Sequence, residues 1–297
     1  MTKLVSLGDG RRASYEIVGE GEPLLMFMGG PGLPARLIWK DAELLAGRFA
    51  SYLIDPHGSG ESSPPADPGA YDHLGHARFY DEVRRALGLG RVSVHGLSFG
   101  GTVALTYAAL FPEETIRCLA VSAFGLGTDV DEAEGGEGEA EMDAMLQRHA
   151  GAPWYAGARA TWDAWTERTL AAENAAEAEE MFATVLPLYF AHPDRPDVAA
   201  GIAEFRSRLA VDLEASKAWE NGLYQTTDLR PLLGDVSCPT LVAAGEVDLI
   251  CGPAQAARIA SAVSGSELIV FPDCGHFPAL EAPGPYQRAL LDRLDRS

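Results

Sequence analysis

Basic residues are scarce in this chain: 23 Lys and Arg stand against 43 Asp and Glu over 297 residues, a formal charge of −20. A surface that binds phosphates neutralises them with Lys and Arg, so nucleic acid is excluded as a partner. Docking on anionic membranes is disfavoured for the same reason. No apolar run reaches the ~18 residues that a membrane-spanning helix requires. The opening stretch Met1-Thr2-Lys3-Leu4-Val5-Ser6-Leu7-Gly8-Asp9-Gly10 also lacks the apolar segment of a secretory leader. Cysteine is sparse and scattered: Cys118, Cys238, Cys251 and Cys274 show neither C-x-x-C nor zinc spacing. That usage predicts reduced thiols and a cytoplasmic chain without a disulfide framework. His73-Leu74-Gly75-His76 offers two imidazoles at i, i+3 but no carboxylate or further histidine nearby, so no metal is expected. Internal repeats and long linkers are missing too.

Short apolar runs alternate with stretches of helical period, as a doubly wound sheet requires. Strand-like runs occur at Tyr15 to Val18, Pro23 to Met28, Ala50 to Ile54, Val92 to Val94, Ile116 to Val121, Pro239 to Gly245 and Glu267 to Phe271. Helical period marks Lys40 to Phe49, Asp72 to Leu87 and Gly101 to Leu110. The alternation stops between about residues 125 and 224, where Ala, Glu and Trp recur at helical spacing. These patterns predict an α/β core domain of residues 1–124 and 225–297, interrupted by a helical insertion of residues 125–224. Eight acids and no Lys or Arg fall between Asp129 and Asp143, with Gly135, Gly136 and Gly138 among them. Such a run is a self-repelling solvated loop, or a field that attracts cationic substrates.

The chemistry concentrates at Gly96-Leu97-Ser98-Phe99-Gly100, directly after the run Arg91-Val92-Ser93-Val94-His95. A G-x-S-x-G pentapeptide between strand and helix forces a sharp reversal that leaves the serine on strained backbone with its hydroxyl outward. A serine hydroxyl needs a base to take its proton and an acid to orient that base, in the chain order Ser, Asp or Glu, His. Asp248 follows the strand ending at Gly245, and His276 follows the strand ending at Phe271, each beyond a carboxyl end. Glu246 competes with Asp248 as the acid. Asp273 is nearer in sequence, but a neighbour on the same short loop is badly placed to meet the ring. Donors for a developing oxyanion are expected at the N–H groups of Gly30, within Gly29-Gly30-Pro31-Gly32, and Phe99.

On these residues the chain resembles the α/β-hydrolase fold serine hydrolases, and more narrowly the proline iminopeptidase group of peptidase family S33. That group carries a His-Gly-Gly-Pro-Gly turn, here Met28-Gly29-Gly30-Pro31-Gly32. It also carries Asp-x-Arg-Gly-x-Gly-x-Ser, here Asp55-Pro56-His57-Gly58-Ser59-Gly60-Glu61-Ser62. Met28 and His57 replace the group's histidine and arginine, so any bracing of the turn by those side chains is lost or rebuilt. The resemblance spans about residues 12–124 and 225–297. It implies the α/β-hydrolase fold, a mostly parallel sheet with an inserted helical cap, and hydrolysis through an acyl-enzyme without metal or organic cofactor.

Within the group, acidic cap residues recognise a substrate's free amine. Glu167 and Glu220 are the candidates here, though neither lies in a motif of the group, with Gly29, Trp165 and Tyr189 as further substrate contacts. The expected partner is a small ester, amide or short peptide. A carboxylesterase or lactonase without peptidase activity, a cofactor-free perhydrolase or acyltransferase, and a non-catalytic ligand receptor are the alternatives on the same scaffold. The oligomeric state leaves no mark in the sequence.

Overall fold

The computed structural model describes residues 1–125, 139–223 and 225–295. Asp129 through Glu137 of the acidic run, and Tyr224, lie outside the described residues. Of that run only Asp143 has a described side chain, and it pairs with Arg159.

Eight strands form one sheet in the order β1-β2-β4-β3-β5-β6-β7-β8. They are β1 (Lys3–Ser6), β2 (Arg12–Val18), β3 (Glu22–Phe27), β4 (Phe49–Ile54), β5 (Val92–Leu97), β6 (Thr115–Val121), β7 (Thr240–Gly245) and β8 (Glu267–Phe271). β1 and β2 run antiparallel at one edge, and every pairing from β4 onward is parallel. Parallel strands have both faces covered and so read as apolar runs. β5 and β7 are buried at every position.

The twofold period of the strands sorts the apolar residues into two cores. Leu25, Phe27, Cys118, Ala120, Val242 and Ala244 face one, and Leu24, Met26, Leu119, Val121, Leu241 and Ala243 face the other. α1 (Trp39–Leu45) covers the second face. α2 (His73–Ala86) and α3 (Phe99–Leu110) cover the first. Asp72 caps α2 by accepting from Gly75 N–H at 2.6 Å, which satisfies one of the free N–H groups of a helix start.

Between β6 and β7 the described residues hold helices and no strand. These are α4 (Glu139–Gln147), α5 (Tyr155–Asp163), α6 (Trp165–Ala171), α7 (Ala175–Val185), α8 (Pro196–Arg208) and α9 (Leu213–Ala218). A π-helical turn (Trp219–Leu223) follows α9. After it come α10 (Arg230–Leu233), α11 (Pro253–Ala262) on the first face, α12 (Pro278–Glu281) and α13 (Pro283–Asp295) on the second. α8 packs on α12 and on the turn Ala35–Ile38, while α9 packs on the turn Pro68–Tyr71. Among the described residues no helix is long and apolar enough to cross a membrane.

Two elements differ from the sequence expectation. β1 is a four-residue, largely exposed edge strand whose pattern carries no burial signal. The helix expected over Lys40 to Phe49 stops at Leu45, because Phe49 is fully buried as the first residue of β4, opposite Glu22.

A polar knot crosses the second core. Asp41 of α1 accepts from the Tyr286 hydroxyl of α13 and lies 3.0 Å from His95 Nε2 of β5, all three buried. A buried donor that loses its acceptor keeps its full desolvation cost. Replacing Asp41 by alanine is therefore expected to lower the unfolding free energy by about 3 kcal/mol, read from urea denaturation. Unchanged stability would show that the knot contributes nothing.

Candidate active site

β5 delivers Ser98 on a backbone that only packing can hold. Its φ of 59° and ψ of −130° place a residue with a Cβ where such residues are strained. The surrounding glycines explain how the turn fits. A Cβ on Gly96 would sit 1.9 Å from the Gly100 carbonyl oxygen, and one on Gly100 would sit 2.1 Å from that of Phe27. Strand, turn and helix thus touch through bare backbone. The Ser98 carbonyl accepts from Gly101 and Thr102 and so starts α3. Its side chain is half-buried, and its hydroxyl makes no hydrogen bond to a described residue.

The glycine turn after β3 passes directly beside this elbow. A Cβ on Gly29 would lie 2.3 Å from Ser98 Cβ and 2.9 Å from Phe99 N. Gly30 and Gly32 follow with φ of +74° and +85°, which side chains rarely adopt. The N–H groups of Gly30 and Phe99 donate to no described residue, so two free donors flank the serine. Met28 is buried in the second core, and His57 is buried with its imidazole pushed down to about 4, mainly by loss of solvent. Neither replaces the bracing that a histidine and an arginine would give. The inserted segment does so instead. Asp212 N–H donates to the Gly32 carbonyl at 2.8 Å, and the Ser216 hydroxyl donates to the Pro31 carbonyl at 3.1 Å.

The two remaining loops meet across the sheet edge. His276 Nδ1 lies 2.9 Å from both carboxylate oxygens of fully buried Asp248. Asp248 Oδ1 also accepts from the N–H groups of Ile250 and Cys251 at 2.9 and 3.0 Å. Burial alone would raise this carboxyl, but the facing His276 and these donors hold it below its ordinary value. Glu246, the competing acid, goes elsewhere: its carboxylate accepts from Asp273 N–H at 2.8 Å. The Asp273 carboxylate in turn lies 2.6 Å from His192 Nε2. The acid–base half of a relay is thus formed, whereas His276 Nε2 and Ser98 Oγ make no hydrogen bond to each other. Such contacts are often long before substrate arrives.

The substrate candidates separate. The Tyr189 ring packs edge-on against His276 at 5.4 Å, and the Tyr189 carbonyl accepts from His276 N–H at 2.7 Å. Glu220 accepts from Trp165 Nε1 at 3.0 Å and from the Thr166 hydroxyl at 2.6 Å. Trp165 reaches Tyr189 through Phe182, with ring spacings of 6.1 and 5.8 Å. Glu167 is exposed and joins none of this. His73 spends Nδ1 on the Thr106 hydroxyl, and among the described residues no cluster is placed to hold a metal.

Three contributors were not anticipated. Ser122, at φ 45° after β6, donates to the His276 carbonyl at 3.4 Å and contributes to holding the Asp248 carboxyl low. Trp219 stands edge-on over Phe99 at 4.6 Å. Glu281 accepts from Gly275 N–H, next to the histidine. The one trace of these roles in the sequence is a polar residue ending or interrupting an apolar run, at Ser122 and Glu281. A cleft of about 360 Å³ behind the glycine turn, lined by Gly32, Arg36, Asp55 and Asp212, contains none of Ser98, Asp248 or His276.

Comparison with known proteins agrees with the fold. The family described as alpha/beta hydrolase fold matches residues 22–283. A 2-hydroxy-6-oxononadienedioate/2-hydroxy-6-oxononatrienedioate hydrolase of Klebsiella pneumoniae is 22% identical, over 94% of this chain and 89% of its own. A probable proline iminopeptidase of Leptolyngbya boryana is 26% identical, over 95% of this chain and 89% of its own. The structure of an alpha/beta fold family hydrolase from Bacillus anthracis superposes with a TM-score of 0.78 at 16% identity, covering 99% of both chains.

Proposed function

The chain belongs to the α/β-hydrolase fold family, and we propose that this hydrolytic enzyme is a serine hydrolase of small esters or amides. The observation that carries this reading is the buried Asp248–His276 pair, with a half-buried serine on a strained elbow between two free N–H donors. Ser98 Oγ attacks the substrate carbonyl while His276 Nε2 takes its proton. Asp248 keeps the Nδ1 proton in place and offsets the charge of the imidazolium. The N–H groups of Gly30 and Phe99 receive the oxyanion, worth about 3–4 kcal/mol per donor in known cases. His276 then protonates the leaving group, and water attacks the acyl-enzyme with the same histidine as base. The reaction as written requires neither metal nor organic cofactor. Residues 125–224 act as a cap on the core of residues 1–124 and 225–297.

The cap selects the substrate, since the proton relay is indifferent to most of it. An aminoacyl substrate is supported by Glu220, a carboxylate held by Trp165 and Thr166 and connected through rings to Tyr189. The two relatives point to different substrates by name, so the scaffold alone does not choose. A second reading, an esterase or lactonase without peptidase activity, is favoured by Glu167, which is exposed and, among the described residues, bonds neither Glu220 nor its partners. Prolyl and alanyl arylamides assayed beside p-nitrophenyl esters of increasing length separate the two. On the aminoacyl reading, Glu220→Gln raises KM for the arylamides by about tenfold, the worth of one hydrogen bond to a charged group, and leaves simple esters unaffected. Turnover of esters alone, insensitive to Glu220→Gln, decides for the second reading.

A further inference from the structure

Glu281 is a charged residue in the apolar run Phe277-Pro278-Ala279-Leu280, and it is only 6% exposed. Acids are rarely buried unless paired. This one is engaged by backbone. Its Oε1 accepts from Gly275 N–H at 2.8 Å, and its Oε2 accepts from Ala191 N–H at 2.8 Å, 90 residues away. One carboxylate therefore bridges the histidine loop and the segment after α7. The two segments also meet directly, because His276 N–H donates to the Tyr189 carbonyl at 2.7 Å. A Cβ on Gly275 would fall 2.4 Å from that same carbonyl and 2.9 Å from Glu281 Oε1. Nothing larger than glycine fits the seam.

We propose that Glu281 is a positioning residue that clamps the His276 loop to the inserted segment at Tyr189–Ala191, so that the imidazole is held for proton transfer only when both N–H groups are accepted. The proposal rests on the serine-hydrolase reading above. Through Gly275 the clamp fixes the backbone leading into the imidazole, and through Ala191 it fixes the Tyr189 ring packed on that imidazole. A base misplaced by ~1 Å loses on the order of a hundredfold in rate.

The clamp is also sensitive to protons. Burial pushes the Glu281 carboxyl up to about 7, against the opposing effect of its backbone donors and of Arg195. Protonation puts a donor on an oxygen where an N–H already arrives. The groups around it are Arg195 before α8, Cys274 on the histidine loop, and the His192–Asp273 pair across the seam. α1 and α13, packed on α12, bring Asp41 and Tyr286, which bond to each other. None of them is an acceptor that replaces Glu281 at Gly275 or Ala191.

The test compares wild type with Glu281→Gln between pH 5.5 and 9, by activated-ester kinetics and by NMR of the His276 ring nitrogens. The variant is expected to lose kcat by about tenfold to a hundredfold with KM nearly unchanged, since only placement of the base is disturbed. The acid limb of the wild-type profile should be steeper than one ionisation, and that of the variant should reduce to one. The wild-type ring signals should respond to the ionisation of Glu281 near neutral pH, a response that the variant lacks. Those wild-type signals carry the test alone if the variant fails to fold. Wild-type kcat and an unchanged acid limb in the variant, with wild-type ring signals the same as those of the variant across the pH range, would overturn the clamp. Ser98→Ala is run alongside: full turnover there removes the hydrolase reading, while the ring titration still judges the clamp.

Discussion

Ser98→Ala is expected to reduce kcat on activated esters by roughly 10⁴ to 10⁶, leaving only the rate that oxyanion donors and binding supply over water. The substitution deletes the atom that attacks and touches little else. The Ser98 hydroxyl makes no hydrogen bond to a described residue, so its removal leaves no donor or acceptor stranded. Alanine keeps the Cβ and hence the strain of a φ of 59°. The stability of the variant should therefore lie within about 0.5 kcal/mol of wild type. Glycine at the same position relieves that strain, and Ser98→Gly should be more stable by about 1 kcal/mol while equally inactive. A fluorophosphonate probe should label wild type at Ser98 and neither variant. Turnover by Ser98→Ala within tenfold of wild type would refute the nucleophile.

The parts of the site visible in the sequence are those governed by local rules. Ser98 is announced by glycines whose absence of side chains the packing requires, at Gly96 and Gly100. Asp248 and His276 each follow a strand whose apolar run marks its carboxyl end, and parallel topology brings those ends to one edge. What the sequence hides is which backbone groups meet across long separations. What separates Glu246 from Asp248 is spatial: His276 Nδ1 meets Asp248, while Glu246 accepts from the N–H of Asp273, 27 residues away. The bracing of the glycine turn comes from Asp212 and Ser216, which follow a helical segment whose docking no periodicity encodes. The same holds for Glu281, whose polar character stands out in an apolar run but whose partner at Ala191 does not. β1 is hidden for the opposite reason: it buries almost nothing, so hydrophobic alternation has nothing to record.

Asp248→Asn should lower kcat by about 10⁴, the loss associated with a histidine held in the wrong tautomer. The carboxylate offers only acceptors, so His276 Nδ1, 2.9 Å from each oxygen, must carry the proton and leave Nε2 free to take one from serine. An asparagine amide can instead donate to Nδ1, which moves the ring proton to Nε2 and removes the base. Its carbonyl oxygen still accepts from Ile250 and Cys251, so the loop keeps its shape and the loss belongs to chemistry. Stability should respond with a sign that follows from the lowered carboxyl. A group whose folded pKa lies below its unfolded one stabilises the fold above the unfolded value and loses that contribution as pH falls through the folded value. The stability advantage of wild type over Asp248→Asn should thus be full at pH 6 and shrink below about pH 4, the ordinary carboxylate range. Glu246→Gln is the control. Its amide oxygen can still accept from Asp273 N–H, and its kcat should stay within about threefold of wild type, since no charge is needed there. Single-turnover acylation of both variants distinguishes the acids, and a larger loss from Glu246→Gln would mean that Asp248 is not the residue that orients the base.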